Sequence, residues 1–180
     1  MMAEIAQAFI AESRSLLMSA YLPRIERCLE KLSDEEIWWR PHEEANSIGN
    51  LLLHLSGNVR QWIVSGVGAR PDTRVRQEEF AERGTRPRAE LLRRLTETLS
   101  EADAVLAELA PARLLETRRI QGKDVTLLEA VYHVVEHFSM HTGQIILLTK
   151  MLRAEDLRFY DFSSGAPVET WHTRGGESST

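Results

Sequence analysis

The sequence predicts an all-α fold, a four-helix bundle with a long connection between its second and third helices. Three observations carry this expectation. Four segments repeat apolar residues at helical spacing, over residues 3–32, 46–65, 88–109 and 126–152. Capping residues open several of them and glycine or proline falls between them. A charged stretch of roughly 20 residues joins the second to the third, long for a compact domain and a length often kept for functional segments.

The first helix is expected from about Ala3 to Leu32, with Ile5, Phe9, Leu16, Leu17 and Ile25 on its apolar side. Pro23 falls inside it and should kink or break it near Ala20 to Leu22, because the ring has no N–H and collides with the preceding turn. Ser33-Asp34-Glu35-Glu36 reads as a capping box for a short helical turn that ends before Pro41. The second helix starts near Asn46 or Ser47, both good N-caps, and runs to about Ser65, where Gly66 and Gly68 stop it. The Val67–Pro87 connection follows. The third helix spans about Arg88 to Leu109, with Leu91, Leu95, Leu99, Ala102 and Leu106 on one side. A connector from Ala110 to Val125 contains a turn at Arg118–Gly122. Thr126-Leu127-Leu128-Glu129 is a second capping box and opens the fourth helix, apolar on most sides and therefore the most buried. Beyond Leu152 the chain turns irregular, and the aromatic run Phe159–Phe162 is placed to lid one end. The expected domain covers residues 1–165, with 166–180 a flexible tail, frayed from Thr173 onward.

At 180 residues the chain suits one domain with a core of its own. A net charge of −5 provides no basic footprint, so nucleic acid is not an expected partner. No run of about 18 apolar residues exists, so no membrane span is expected. The N-terminus carries Glu4 and lacks a basic segment followed by an apolar core, so no signal peptide is expected and the cytoplasm is the expected location. The single cysteine, Cys28, excludes an internal disulfide and reads as a small buried hydrophobe.

The chemistry lies in the histidines. His133, His137 and His141 recur at intervals of four, which stacks them on one face of the fourth helix, one turn apart. Imidazoles on an apolar helix are costly unless their nitrogens find partners. His54, in Leu51-Leu52-Leu53-His54-Leu55, lies on the apolar side of the second helix. Taken alone it reads as a satisfied core histidine. With an i, i+4 pair from the fourth helix it would complete three nitrogen ligands, leaving an open position as in catalytic zinc sites. Nickel, iron or copper suits the same ligands. The pair could be His133 with His137 or His137 with His141. The first pairing spells His133-Val134-Val135-Glu136-His137, the inverted zinc-peptidase pattern, with Glu136 as general base.

These residues resemble the DinB/YfiT-like superfamily of four-helix metalloproteins. The family's mark is a histidine on the second helix and a histidine pair four apart on the last, followed by a small residue, glycine and glutamine. His137-Phe138-Ser139-Met140-His141-Thr142-Gly143-Gln144 fits the second part, and Ser47–Leu55 with His54 fits the first. Trp38-Trp39-Arg40-Pro41 is similar to the segment leading into that helix. The resemblance covers roughly Ala3 to Phe162 and implies His54, His137 and His141 as ligands of a divalent metal, zinc or nickel first. His133 and Glu136 then take supporting or pocket roles, as do Asn58 and Gln144, one turn past His54 and His141.

The resemblance further implies a thiol-dependent transferase using a low-molecular-weight thiol such as bacillithiol or mycothiol, or a hydrolase that activates water. Its expected partners are a small-molecule substrate or thiol and a second copy of the chain, as a homodimer. Arg74, Arg76, Arg118 and Arg119 lie in loops that could border the pocket, although a solvated role is the simpler reading for each. The alternative is a non-catalytic, metal-stabilised bundle serving as a dimeric interaction module.

Overall fold

The structure is a computed structural model and describes residues 1–84 and 86–171. The expected four-helix architecture is present. The first arm is α1 (Met2–Ser15), a π-helical segment (Leu16–Tyr21) and α2 (Leu22–Glu30). The second is α3 (Ile48–Val59), which continues as a π-helical segment (Arg60–Val67). The connection then forms a short helix, α4 (Arg76–Ala81), before the third arm, α5 (Arg88–Ala107), and the fourth, α6 (Leu127–Arg153). The α3 helix packs on α5 and α6, α2 packs on α6, and α1 packs on α5.

Pro23 does not break the first arm. The helix widens into the π-helical segment just before it, which relieves the crowding between the ring and the turn below. The carbonyl four residues before Pro23 belongs to Ser19, and the proline has no N–H to give it. The indole N–H of Trp171 donates to that oxygen at 3.0 Å from across the molecule. Trp171 is buried, lies beneath the Arg24 guanidinium and meets Tyr160 edge-on.

That contact changes the expected end of the domain. Strands β3 (Tyr160–Asp161) and β4 (Val168–Glu169) pair antiparallel, so the segment expected as a tail from residue 166 begins inside a hairpin. Of the stretch expected to fray, Thr173 to Thr180, all lies outside the described residues.

Capping boxes open both histidine-bearing helices, the expected one at Thr126 and another at Ser47, where the sequence predicts only an N-cap. Ser47 Oγ accepts from Asn50 N–H, and the Asn50 side chain reciprocates, which selects Ser47 over Asn46 as the cap. Thr126 Oγ1 accepts from Glu129 N–H at 3.1 Å while Glu129 Oε2 accepts from Thr126 N–H at 2.7 Å. The second arm passes through Gly66 and ends at Val67, two residues later than expected. Gly66 has another use: a Cβ there would lie 2.4 Å from Ile120 Cδ1, so its bare backbone seats the neighbouring hairpin. That hairpin, β1 (Thr117–Ile120) with β2 (Lys123–Thr126), contains the turn expected at Arg118–Gly122. Gln121 and Gly122 both have positive φ, the geometry that matches a two-residue turn to strand twist.

Leu51, Leu52 and Leu55 of α3, Leu91, Leu95 and Leu99 of α5, Ile25 and Leu29 of α2, and Phe138 of α6 are fully buried in one core. Each such side chain contributes about 1.5–3 kcal/mol by leaving water. Cys28 is buried among them, as its surroundings in sequence predict. Ile5, expected on the packed side of the first arm, is 61% exposed instead, because the core begins only at Ile10. Among the described residues, no helix is long and apolar enough to cross a membrane.

Candidate metal centre

Buried α3 carries His54 against the face of α6 that carries His137 and His141. The ring nitrogens of these three residues all lie within 4.8 Å of one another. Nε2 of His137 stands 3.0 Å from Nε2 of His54 and 3.1 Å from Nε2 of His141. Nitrogens bound at about 2.0–2.1 Å to one tetrahedral zinc ion sit about 3.3 Å apart, so the spacing is within a few tenths of an ångström of that of a shared ion.

The outer nitrogens decide which way the inner lone pairs face. Nδ1 of His54 is 2.9 Å from Oε2 of Glu79. A carboxylate only accepts, so Nδ1 carries the proton and Nε2 presents its lone pair. Arg74 Nη2 also approaches Nδ1, at 3.1 Å, but it donates to Glu79 Oε2 at 2.8 Å, and a protonated Nδ1 has no lone pair to offer it. Nδ1 of His141 faces Oε1 of Gln144 at 2.6 Å and donates to it, freeing the second Nε2. Two lone pairs therefore converge on His137. A proton on His137 Nε2 could satisfy only one of them. Its Nδ1 is buried with no hydrogen-bond partner among the described residues.

Burial pushes the His137 imidazole down to about 3, helped by the neighbouring His141 and His54. Burial also lowers His141, against an opposing pull from Gln144. Both rings are thus neutral at pH 7, the form that binds metal.

Glu79 and Arg74 complete the support. Arg74 grips Glu79 with two parallel bonds, Nε to Oε1 at 2.7 Å and Nη2 to Oε2 at 2.8 Å, and both side chains are buried. Burial pushes the Glu79 carboxyl up, but the Arg74 guanidinium and the His54 N–H outweigh it and hold it below the usual carboxylate range. Gln61 braces the pair, accepting from Arg74 Nη1 at 2.9 Å and donating to Asp72 at 2.7 Å. Gly57 makes room for it: a Cβ there would lie 1.9 Å from Glu79 Oε1. Phe80, also on α4, packs on the His54 ring at 4.8 Å.

His133 stays outside the three-nitrogen cluster. Its Nε2 lies 3.3 Å from the Asn58 amide nitrogen, and its ring packs on Trp62 at 4.2 Å and on His137 at 5.4 Å. Burial lowers its pKa against a weaker pull from Glu136, which is exposed on the outer side of α6. The inverted-peptidase pairing is therefore not the one whose nitrogens converge here. Asn58 and Gln144, picked out by helical spacing, do reach His133 and His141.

Of the four loop arginines, only Arg74 reaches the site. Arg76 stacks on Phe80, Arg118 pairs with Glu116, and Arg119 pairs with Asp124. Glu79, Phe80 and Gly57 escape a reading of the sequence. The six residues of α4 are too few for periodicity to show inside a charged connection. The Glu78-Glu79-Phe80 step was the available signal.

The profile of a family described as a protein of unknown function, DUF1572, matches residues 4–166. A DinB-like protein from Bacillus cereus ATCC 10987 has a similar structure, at 15% identity and a TM-score of 0.56, covering 76% of this chain and 91% of that one. A conserved protein from Enterococcus faecalis is similar at 14% identity and a TM-score of 0.61, covering 85% of this chain and 98% of that one. No curated protein matches in sequence. With the bundle, the three facing imidazoles and a family match over nearly its whole length, the chain has the DinB-like fold and belongs to the DUF1572 family.

Proposed function

We propose that His54, His137 and His141 bind one divalent transition metal ion, zinc or nickel first, and that the protein is a metal-dependent enzyme acting on a small molecule. The observation that carries this reading is the pair of Nε2 lone pairs, set by Glu79 and Gln144, that converge on His137 with at most one proton between them. Three nitrogen donors leave a position open for substrate, the pattern of catalytic sites. The ion would supply Lewis acidity there, favouring the thiolate of a small thiol or the ionisation of a water.

This chain's residues do the positioning. Glu79 and Gln144 hold the tautomers, Arg74 keeps Glu79 ionised, and Phe80 shields one side of His54. Two chemistries suit the site: group transfer through a low-molecular-weight thiol, and hydrolysis. A catalytic rather than structural ion is supported by the core, which joins all four arms through apolar contacts that do not involve the histidines. The exposed Tyr132, Met140, Leu147 and Met151 on one side of α6 support a homodimer.

Elemental analysis of tag-free protein tests the site directly. About one equivalent of metal, lost in a His54→Ala/His141→Ala double variant, is the expected result. No metal in either protein after incubation with zinc and with nickel would overturn it. A chelator should then strip the ion without loss of helical circular dichroism, whereas unfolding on chelation would mark the ion as structural.

A further inference from the structure

A cavity of about 570 Å³ opens beside the histidines, separated from them by the Arg74–Glu79 pair. Leu53 and Gly57 of α3 form its floor, and it contains none of the three facing histidines. Its size falls in the range of small-molecule sites. Its lining has five arginines, Arg60, Arg74, Arg83, Arg86 and Arg94, against three glutamates, Glu78, Glu79 and Glu82.

Three of the arginines are matched. Arg74 pairs with Glu79, Arg86 with Glu82 and Glu90, and Arg60 with Glu101 of α5. The remaining two are not. Arg83 donates to the backbone carbonyls of Phe80 and Glu82 and has no carboxylate in ion-pair reach among the described residues. Arg94 has none either, because its neighbours on α5 are engaged elsewhere: Glu90 with Arg86, Glu97 with Arg93 and Glu101 with Arg60. Two unmatched guanidiniums thus face one unmatched carboxylate, Glu78. The excess charge is felt nearby: the Arg40 guanidinium is held below its usual range by burial and then by Arg83.

We infer that this cavity is a binding site for a small molecule bearing an oxyanion, a carboxylate or a phosphate, held by Arg83 and Arg94. Guanidinium forks match both groups in shape and charge. The site stands apart from the metal reading, since no residue proposed to hold the anion touches the histidines. The shared wall at Arg74 and Glu79 would seat such a ligand next to the metal centre.

Calorimetric titration of the full chain with inorganic phosphate, and separately with citrate, at constant ionic strength tests this. Saturable binding of either probe is expected, and the tighter of the two names the oxyanion. An Arg83→Gln/Arg94→Gln variant should weaken it about tenfold or more. An Arg93→Gln variant, altered on the same helix where its charge pairs with Glu97, should bind as the parent does. Both altered side chains of the double variant are exposed, and its circular dichroism and melting curve verify that it folds. No saturable binding of either probe, or equal weakening in the Arg93→Gln variant, would overturn the inference. Metal content, measured on the same samples, reports separately on the histidine site.

Discussion

Oε2 of Glu79 lies 2.9 Å from Nδ1 of His54, and this contact ties the segment between the second and third arms to the metal centre. It sets the tautomer of one imidazole. It also gives a buried carboxylate two partners, the histidine in front and Arg74 behind. The site is thereby built from three places in the chain: α3, α6 and a six-residue helix inside a charged connection.

The histidines differ in what they should do when removed. His54→Ala and His141→Ala are expected to abolish tight zinc or nickel binding. His133→Ala should weaken it far less, because that ring faces Asn58 and Trp62. Competition against a metal indicator measures all three. Full loss in the His133 variant with binding retained in the His141 variant would revive the pattern that uses Glu136.

Gly57 is expected to be intolerant of even one added carbon. In Gly57→Ala the new methyl would collide with the Glu79 carboxylate and displace it from Arg74 and His54. Breaking a buried ion pair costs about 3–5 kcal/mol, so the urea midpoint should fall clearly. Glu79→Gln should preserve the shape and lose the charge, lowering metal affinity about 10–100-fold through the released His54 ring. Metal affinity unchanged in both variants would remove Glu79 from the site.

Stability should depend on pH at both ends of the range. The folded pKa of Glu79 lies below its unfolded value, so its contribution is complete above about pH 4.3. That contribution is lost as pH falls through the folded value. Cys28 has the opposite sign: burial pushes its thiol up to about 11, against about 8.5 when unfolded. Its contribution is complete below the unfolded value and is lost as pH rises toward 11. Urea titrations across pH check both directions. At pH 8 a thiol reagent should label Cys28 slowly in the native protein and rapidly in denaturant.

Trp171→Phe should preserve the packing on Tyr160 and Arg24 but remove the donor to Ser19. Ser19 is exposed, so water can take the place of the indole. The loss is that of an ordinary hydrogen bond, about 0.5–1.5 kcal/mol, with a correspondingly small fall in melting temperature. No change would show that the widened turn before Pro23 already satisfies that carbonyl.

What the chain reveals on its own is whatever local repetition encodes. The 3.6-residue rhythm marks the four arms. Ser47 and Thr126 mark two starts through side chains that reach only three residues ahead. The i, i+4 spacing of His137 and His141 puts both on one face before any packing is known. Residues whose meaning comes from distant neighbours remain silent. Gly57 looks like a weak helix former until Glu79 is seen lying over it. Glu79 looks like one acid among many until His54, 25 residues earlier, is found against it. Trp171 and Ser19, 152 residues apart, meet at a carbonyl to which Pro23 has no N–H to give. Helix propensity and capping act through bonds a few residues long, so sequence alone determined the arms and the face of the histidines. Tautomers, the buried ion pair and the arginine-lined cavity depend on desolvation and contact between elements, which only the packed tertiary structure decides.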